Sequence, residues 1–196
     1  MSEVRKLAVF CGSSSGARPD YIEGTRAFGK LLSERGIGVV YGGSNVGLMA
    51  ALANEVADNL GEITGVIPQA LVDREVANTS LDDLRIVGSM HERKALMAKL
   101  CDGFVALPGG IGTLEEFFEV WTWAQLGMHD KPCGLLNMAG YFDPLLAFVD
   151  RAVDEKFVRP VHRSMVIVEE DPERLLERFA GYQPPRVGKW INAATT

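Results

Sequence analysis

The stretch Phe104-Val105-Ala106-Leu107-Pro108-Gly109-Gly110-Ile111-Gly112-Thr113-Leu114-Glu115-Glu116 decides the fold. Its first four residues are apolar, the pattern of a strand buried on both faces. Glycines then stand at 109, 110 and 112, and from Thr113 to Leu126 apolar residues recur with a helical period. A strand that ends in a glycine-rich turn and feeds a helix is the first half of a βαβ unit.

The same grammar extends in both directions. Toward the N-terminus, Leu7 to Phe10 reads as a strand and Pro19 to Glu34 as a helix, with its proline early and Gly36 as its stop. Gly38 to Tyr41 is a strand, Leu48 to Asn59 a helix, and Glu62 to Ile67 a strand closed by Pro68. A less regular stretch over 69–83 leads to a weak strand at Leu84 to Val87 and a helix at His91 to Leu100. Beyond the central stretch, Gly134 to Leu136 and Val166 to Val168 read as strands, Pro144 to Glu155 and Pro172 to Phe179 as helices. Uniformly apolar strands separated by amphipathic helices predict an α/β fold, a Rossmann-like doubly wound parallel sheet with helices on both faces. No linker or repeat interrupts the pattern, which predicts one Rossmann-like domain over 1–181. An irregular tail over 182–196, with Pro184-Pro185 and Lys189-Trp190, follows it.

Composition narrows the function. Of 196 residues, 20 are Lys or Arg and 26 Asp or Glu, for a formal net charge of −6. An acidic chain is poorly suited to gripping nucleic acid, where affinity comes mostly from clustered cations on phosphates. No run approaches the ~18 apolar residues of a membrane span, and Met1 to Lys6 is polar, unlike a leader. Cys11, Cys101 and Cys133 are odd in number, widely spaced and in no C-x-x-C pair, so a disulfide framework is not expected and a cytoplasmic location is. His91, His129 and His162 have no metal-ligand spacing, so neither a metal nor a cofactor is expected. The expected partner is a small molecule.

In doubly wound sheets, ligands bind beyond the carboxyl ends of the strands. There the glycines of 109–112 leave backbone N–H groups free for an anion, at a helix end whose dipole favours negative charge. No Gly-Lys-Ser/Thr follows them, so this is not a Walker loop. The dinucleotide pattern also fails: Gly12 to Gly16 lacks G-x-G-x-x-G spacing, and the second strand ends in Tyr41-Gly42-Gly43 rather than an acid. A nucleoside monophosphate fits better than NAD. Successive helical residues diverge by roughly 100°, so Thr113 and Glu116 share a face while Glu115 points elsewhere. Glu116 would then sit one turn below a phosphate, near the sugar. Met90-His91-Glu92-Arg93-Lys94 places two cations near a helix start, where the dipole opposes them, which suggests anionic ligand groups for Arg93 or Lys94. Gly12, Ser13 and Gly43, at the ends of the first two strands, join the candidate substrate contacts, as does Thr122 farther along the Glu116 helix. The aromatic run Trp121-Thr122-Trp123 there suits a subunit interface as well as a core.

These motifs together resemble the LOG ("Lonely Guy") family of cytokinin riboside 5′-monophosphate phosphoribohydrolases. The family pattern P-G-G-x-G-T-x-x-E stands at Pro108 to Glu116, and Met-His-x-Arg-Lys at Met90 to Lys94. The likeness runs from Leu7 to about Phe179 and includes Cys11-Gly12-Ser13, Tyr41-Gly42-Gly43 and Trp123-Ala124-Gln125-Leu126-Gly127. The resemblance implies a homodimer that hydrolyses the N-glycosidic bond of N6-substituted adenosine monophosphates, and of AMP, to free base and ribose 5-phosphate. It implies Arg93 and Glu116 as the catalytic pair, and Gly109, Gly110, Ile111, Gly112 and Thr113 as the phosphate loop. Asn78 to Asp83 departs from the plant pattern, which bears on the N6-substituent pocket. Two alternatives stay open at this level: a nucleotide or cofactor carrier without catalysis, and a general AMP nucleosidase for purine recycling.

Overall fold

The computed structural model describes residues 4–74 and 77–185. Among the described residues, the seven strands lie in one sheet with every pairing parallel: β1 (Lys6–Phe10), β2 (Gly38–Tyr41), β3 (Ile63–Pro68), β4 (Leu84–Val87), β5 (Gly103–Ala106), β6 (Cys133–Leu136) and β7 (Val166–Glu169). Their order is β4-β3-β2-β1-β5-β6-β7. The chain thus builds outward from β1 on one side, then crosses to β5 and builds outward on the other. The order reverses between β1 and β5, where doubly wound sheets open a crevice at the strand ends. Both loops flanking that point are rich in glycine.

Residue alternation explains why both faces are covered. On β1, Leu7 and Val9 join one cluster with Phe28, Leu52 and Leu175, from helices α1 (Pro19–Glu34), α2 (Gly47–Asp58) and α8 (Pro172–Ala180). Ala8 and Phe10 join the other with Met97, Phe117 and Val149, from α4 (Met90–Leu100), α5 (Ile111–Leu126) and α6 (Asp143–Asp154). Each fully buried Leu or Phe contributes roughly 1.5–3 kcal/mol by leaving water, which fixes the strand register against a slip.

Two short helices, α3 (Gln69–Val72) and α7 (Pro160–Arg163), escape a periodicity reading because one turn has no period. The less regular stretch expected over 69–83 therefore holds a helical turn. It also holds an isolated antiparallel bridge from Ala77 to Ser44, by which it docks on the loop after β2. Helix α5 begins at Ile111, two residues before the expected Thr113. Gly112 is a poor helix former in an interior but costs little in a first turn, where its N–H has no intrahelical partner in any case. Residues 182–185 form no helix or strand; the remainder of the expected tail, including Lys189 and Trp190, lies outside the described residues. No described helix is long and apolar enough to cross a membrane.

Candidate active site

The glycine loop after β5 is locked to the loop after β1 by backbone alone. Leu107 N–H donates to Phe10 O at 2.9 Å, and Gly12 N–H to Pro108 O at 3.0 Å. The contact is so close that a Cβ on Gly109 would stand 2.1 Å from Thr113 Oγ1 and 2.9 Å from Gly12 N. Gly109 is required by packing. Gly110 and Gly112 are different: a Cβ on either would meet no protein atom within 4 Å. Gly110 is the N-cap of α5 and no side chain caps the helix, so no side chain occupies the N–H groups of its first turn, where the positive end of the dipole lies. Gly12, Ser13, Gly109 and Gly110 line a cleft of about 250 Å³ with Tyr21 and Tyr141. Ile111 is almost fully exposed beside it.

Arg93 and Glu116 do not line that cleft. Helix α4 starts with Ser89 as N-cap, its Oγ accepting from Glu92 N–H at 3.1 Å while Glu92 Oε2 accepts from Gly88 N–H at 2.7 Å. This reciprocal cap sets the helix phase. Arg93 then points into the protein, where Nε donates to Val66 O at 3.0 Å and Nη1 to Glu116 Oε1 at 2.5 Å. Its Nη2 lies 2.2 Å from where a Cβ on Gly42 would be. Gly42 therefore makes room for the guanidinium, while Gly43, at φ +73°, makes the turn and packs against Ile67 and Val66. Both side chains of the pair are only 9% exposed. Burial pushes the Glu116 carboxyl above its ordinary value, with Arg93 opposing the shift. Burial also raises the Cys11 thiol, and the Glu116 charge adds to it, so this cysteine is not a thiolate.

Lys94 is spent on the protein's own carboxylates. Its Nζ lies 2.5 Å from Glu115 Oε1 and 2.9 Å from Glu119 Oε2. Burial pulls the ammonium down, but the two glutamates outweigh it and the net shift is upward. Thr122 is exposed and donates to Phe118 O of its own helix; at ~1.5 Å per residue it sits ~13 Å along α5 from Thr113, away from the loop. Trp121 is buried, its Nε1 donating to His162 O at 3.0 Å.

Two contributors were not legible in the motifs. Tyr141 donates from its hydroxyl to Gly109 O at 2.5 Å and meets Tyr21 edge-on at 5.5 Å. It is placed there by Asn137, at the end of β6, whose Nδ2 donates to Asp143 Oδ1 and whose Oδ1 accepts from Phe142 N–H, both at 2.7 Å. The turn so clamped holds Ala139 at φ 52° and Gly140 at φ 71°. A left-handed alanine costs on the order of 1 kcal/mol, so this conformation is imposed by its surroundings. Inspection of the loop after every strand, Leu136 included, would have found both residues. Among the described residues, no group of three or more His, Cys, Asp or Glu side chains is disposed to hold a metal.

A doubly wound parallel sheet with a backbone-lined cleft at its reversal point defines a Rossmann-type α/β protein. The family model described as possible lysine decarboxylase matches residues 49–179. A probable cytokinin riboside 5′-monophosphate phosphoribohydrolase of Oryza sativa subsp. japonica (LOGL9) is 50% identical over 93% of this chain and 81% of its own length. The cytokinin riboside 5′-monophosphate phosphoribohydrolase LOG7 of Arabidopsis thaliana is 46% identical over 93% of this chain and 84% of its own. The chain belongs to the LOG family. In fold it also resembles the molybdenum cofactor binding protein of Rippkaea orientalis, with a TM-score of 0.68 at 21% identity over 92% of this chain and 98% of that one. The molybdenum cofactor carrier protein of Chlamydomonas reinhardtii is similar, with a TM-score of 0.68 at 18% identity over 91% and 98%.

Proposed function

We propose that this protein hydrolyses the N-glycosidic bond of adenosine 5′-monophosphates, those with an N6 substituent and AMP itself, to free base and ribose 5-phosphate. The observation that carries the reading is the buried Arg93–Glu116 pair, one helical turn beyond the uncapped start of α5. The names of the 46–50% identical relatives support the substrate class.

In this reading the phosphate binds the N–H groups of Ile111, Gly112 and Thr113, with Gly110 and Gly112 leaving space for its oxygens and Gly12 and Ser13 closing the far side. That binding fixes the sugar relative to Glu116, so remote binding energy serves the chemical step. As the bond to the base breaks, positive charge develops at the anomeric carbon. The Glu116 carboxylate stabilises that charge and takes a proton from the attacking water, for which a raised proton affinity suits it. Arg93, anchored on Val66 O, holds the carboxylate in place. Residues 1–181 act as one catalytic unit, in the cytoplasm, and as a homodimer whose interface includes the aromatic face of α5 around Trp123.

Lysine decarboxylation has no support from the residues. A lysine that forms a Schiff base needs a lowered pKa. Lys94, at the site, is held protonated by two glutamates.

The test is incubation of the purified protein with AMP and, separately, with isopentenyladenosine monophosphate, followed by chromatography of the bases. Release from both, faster with the N6 substituent, is the expected result. Release from AMP alone would replace the reading with purine recycling, and release from neither would replace it with a carrier.

A further inference from the structure

The peptide unit between Gly109 and Gly110 joins two residues without side chains. Neither residue has a side chain to oppose rotation of that peptide plane, and Gly110 faces open space. Yet its orientation decides what the cleft presents. In a trans peptide the carbonyl and the N–H point in opposite directions, so rotating the Gly109 carbonyl also redirects the Gly110 N–H, the donor just ahead of the first turn of α5. A carbonyl turned toward a bound anion would repel it; the same carbonyl turned away leaves the donors unopposed.

One side chain holds this carbonyl: Tyr141, whose hydroxyl donates to Gly109 O at 2.5 Å. The tyrosine comes from a different strand end and lines the same cleft. Its position is enforced, since Asn137 clamps the turn that carries it and the turn includes a left-handed alanine at 139. A strained turn, a buried amide at 4% exposure and an aromatic hydroxyl thus converge on one carbonyl oxygen of the loop.

We infer that Tyr141 is a positioning residue for anion binding: its hydroxyl fixes the Gly109–Gly110 peptide so that the loop offers donors, not an acceptor, to the phosphate of the ligand. The inference rests on the proposed phosphate site at the start of α5 but not on the chemistry assigned to Glu116.

Tyr141→Phe removes the hydroxyl and keeps the ring against Tyr21. Calorimetric titration of wild type and variant with AMP, ribose 5-phosphate and adenosine separates the contributions. Loss of one neutral hydrogen bond corresponds to about a three- to tenfold loss of affinity. That loss is expected for AMP and ribose 5-phosphate, with adenosine binding unchanged, KM for the nucleotide raised by the same factor and kcat within about twofold. Equal affinity of wild type and variant for both phosphate ligands would overturn the inference while leaving the hydrolase reading intact. An equal loss for adenosine would also overturn it, by showing a general distortion of the cleft, as would a lowered melting temperature with affinity for phosphate ligands retained. If wild type releases no base from any nucleotide yet binds ribose 5-phosphate more tightly than the variant does, the hydrolase reading fails and the role of Tyr141 stands.

Discussion

Adjacent residues on α4 reach adjacent residues on α5, and the two contacts match in length while differing in setting. Arg93 meets Glu116 and Lys94 meets Glu115, each at 2.5 Å. The first pair is closed in on both sides, 9% exposed at each partner; in the second, the Lys94 side chain is as buried, at 7%, but Glu115 is 51% exposed, so water screens the attraction from that side. A buried ion pair is an expensive way to join two helices, because desolvation offsets most of its attraction, whereas a rim pair costs little and contributes little. Joining α4 to α5 needs only the Lys94 contact. The Arg93 contact is fed through the gap left by Gly42 and anchored on Val66, and in the proposed reading it serves the chemistry.

The contrast can be broken by substitution. Glu116→Gln keeps the shape and removes the charge; kcat should fall about 100- to 10,000-fold, with nucleotide affinity changed only a few-fold. Base release near the wild-type rate would show that the buried carboxylate is structural. Arg93→Met leaves Glu116 buried without its partner, which costs about 3 kcal/mol and lowers the melting temperature by ~6–12 °C. Adding Glu116→Gln to it should restore much of the loss. A smaller effect concerns pH. The carboxylate must be ionised to act and burial raises its pKa, so kcat should fall as pH drops through a value above the ordinary glutamate 4.5. An acid limb at or below that value would contradict the burial. The smallest effect on turnover is expected at Lys94→Met: a KM within about twofold of wild type, with a lowered melting temperature because the Glu119 carboxylate loses its buried partner. A KM raised tenfold or more would return Lys94 to the substrate.

Most of the fold was legible because its strands are apolar throughout and its helices periodic; α1, β2 and β4 begin and end where the periodicity places them. The site was legible where a motif is contiguous, as at Pro108 to Glu116. It was not legible where the contact is made across the sheet. Nothing in the sequence around Gly42 announces that Arg93, 51 residues on, needs its missing side chain. Nor does the sequence near Tyr141 announce a bond to Gly109. Lys94 shows a related limit: a lysine near a helix start signals an anion, but the sequence does not say that glutamates on the next helix stand beside it.

The central claim is that one particular bond breaks, and the direct measurement is mass-spectrometric identification of both products of AMP turnover by the purified protein. The account predicts adenine and ribose 5-phosphate in equal amounts. Adenosine with inorganic phosphate, or inosine monophosphate with ammonia, would place the reaction at a different bond and contradict it.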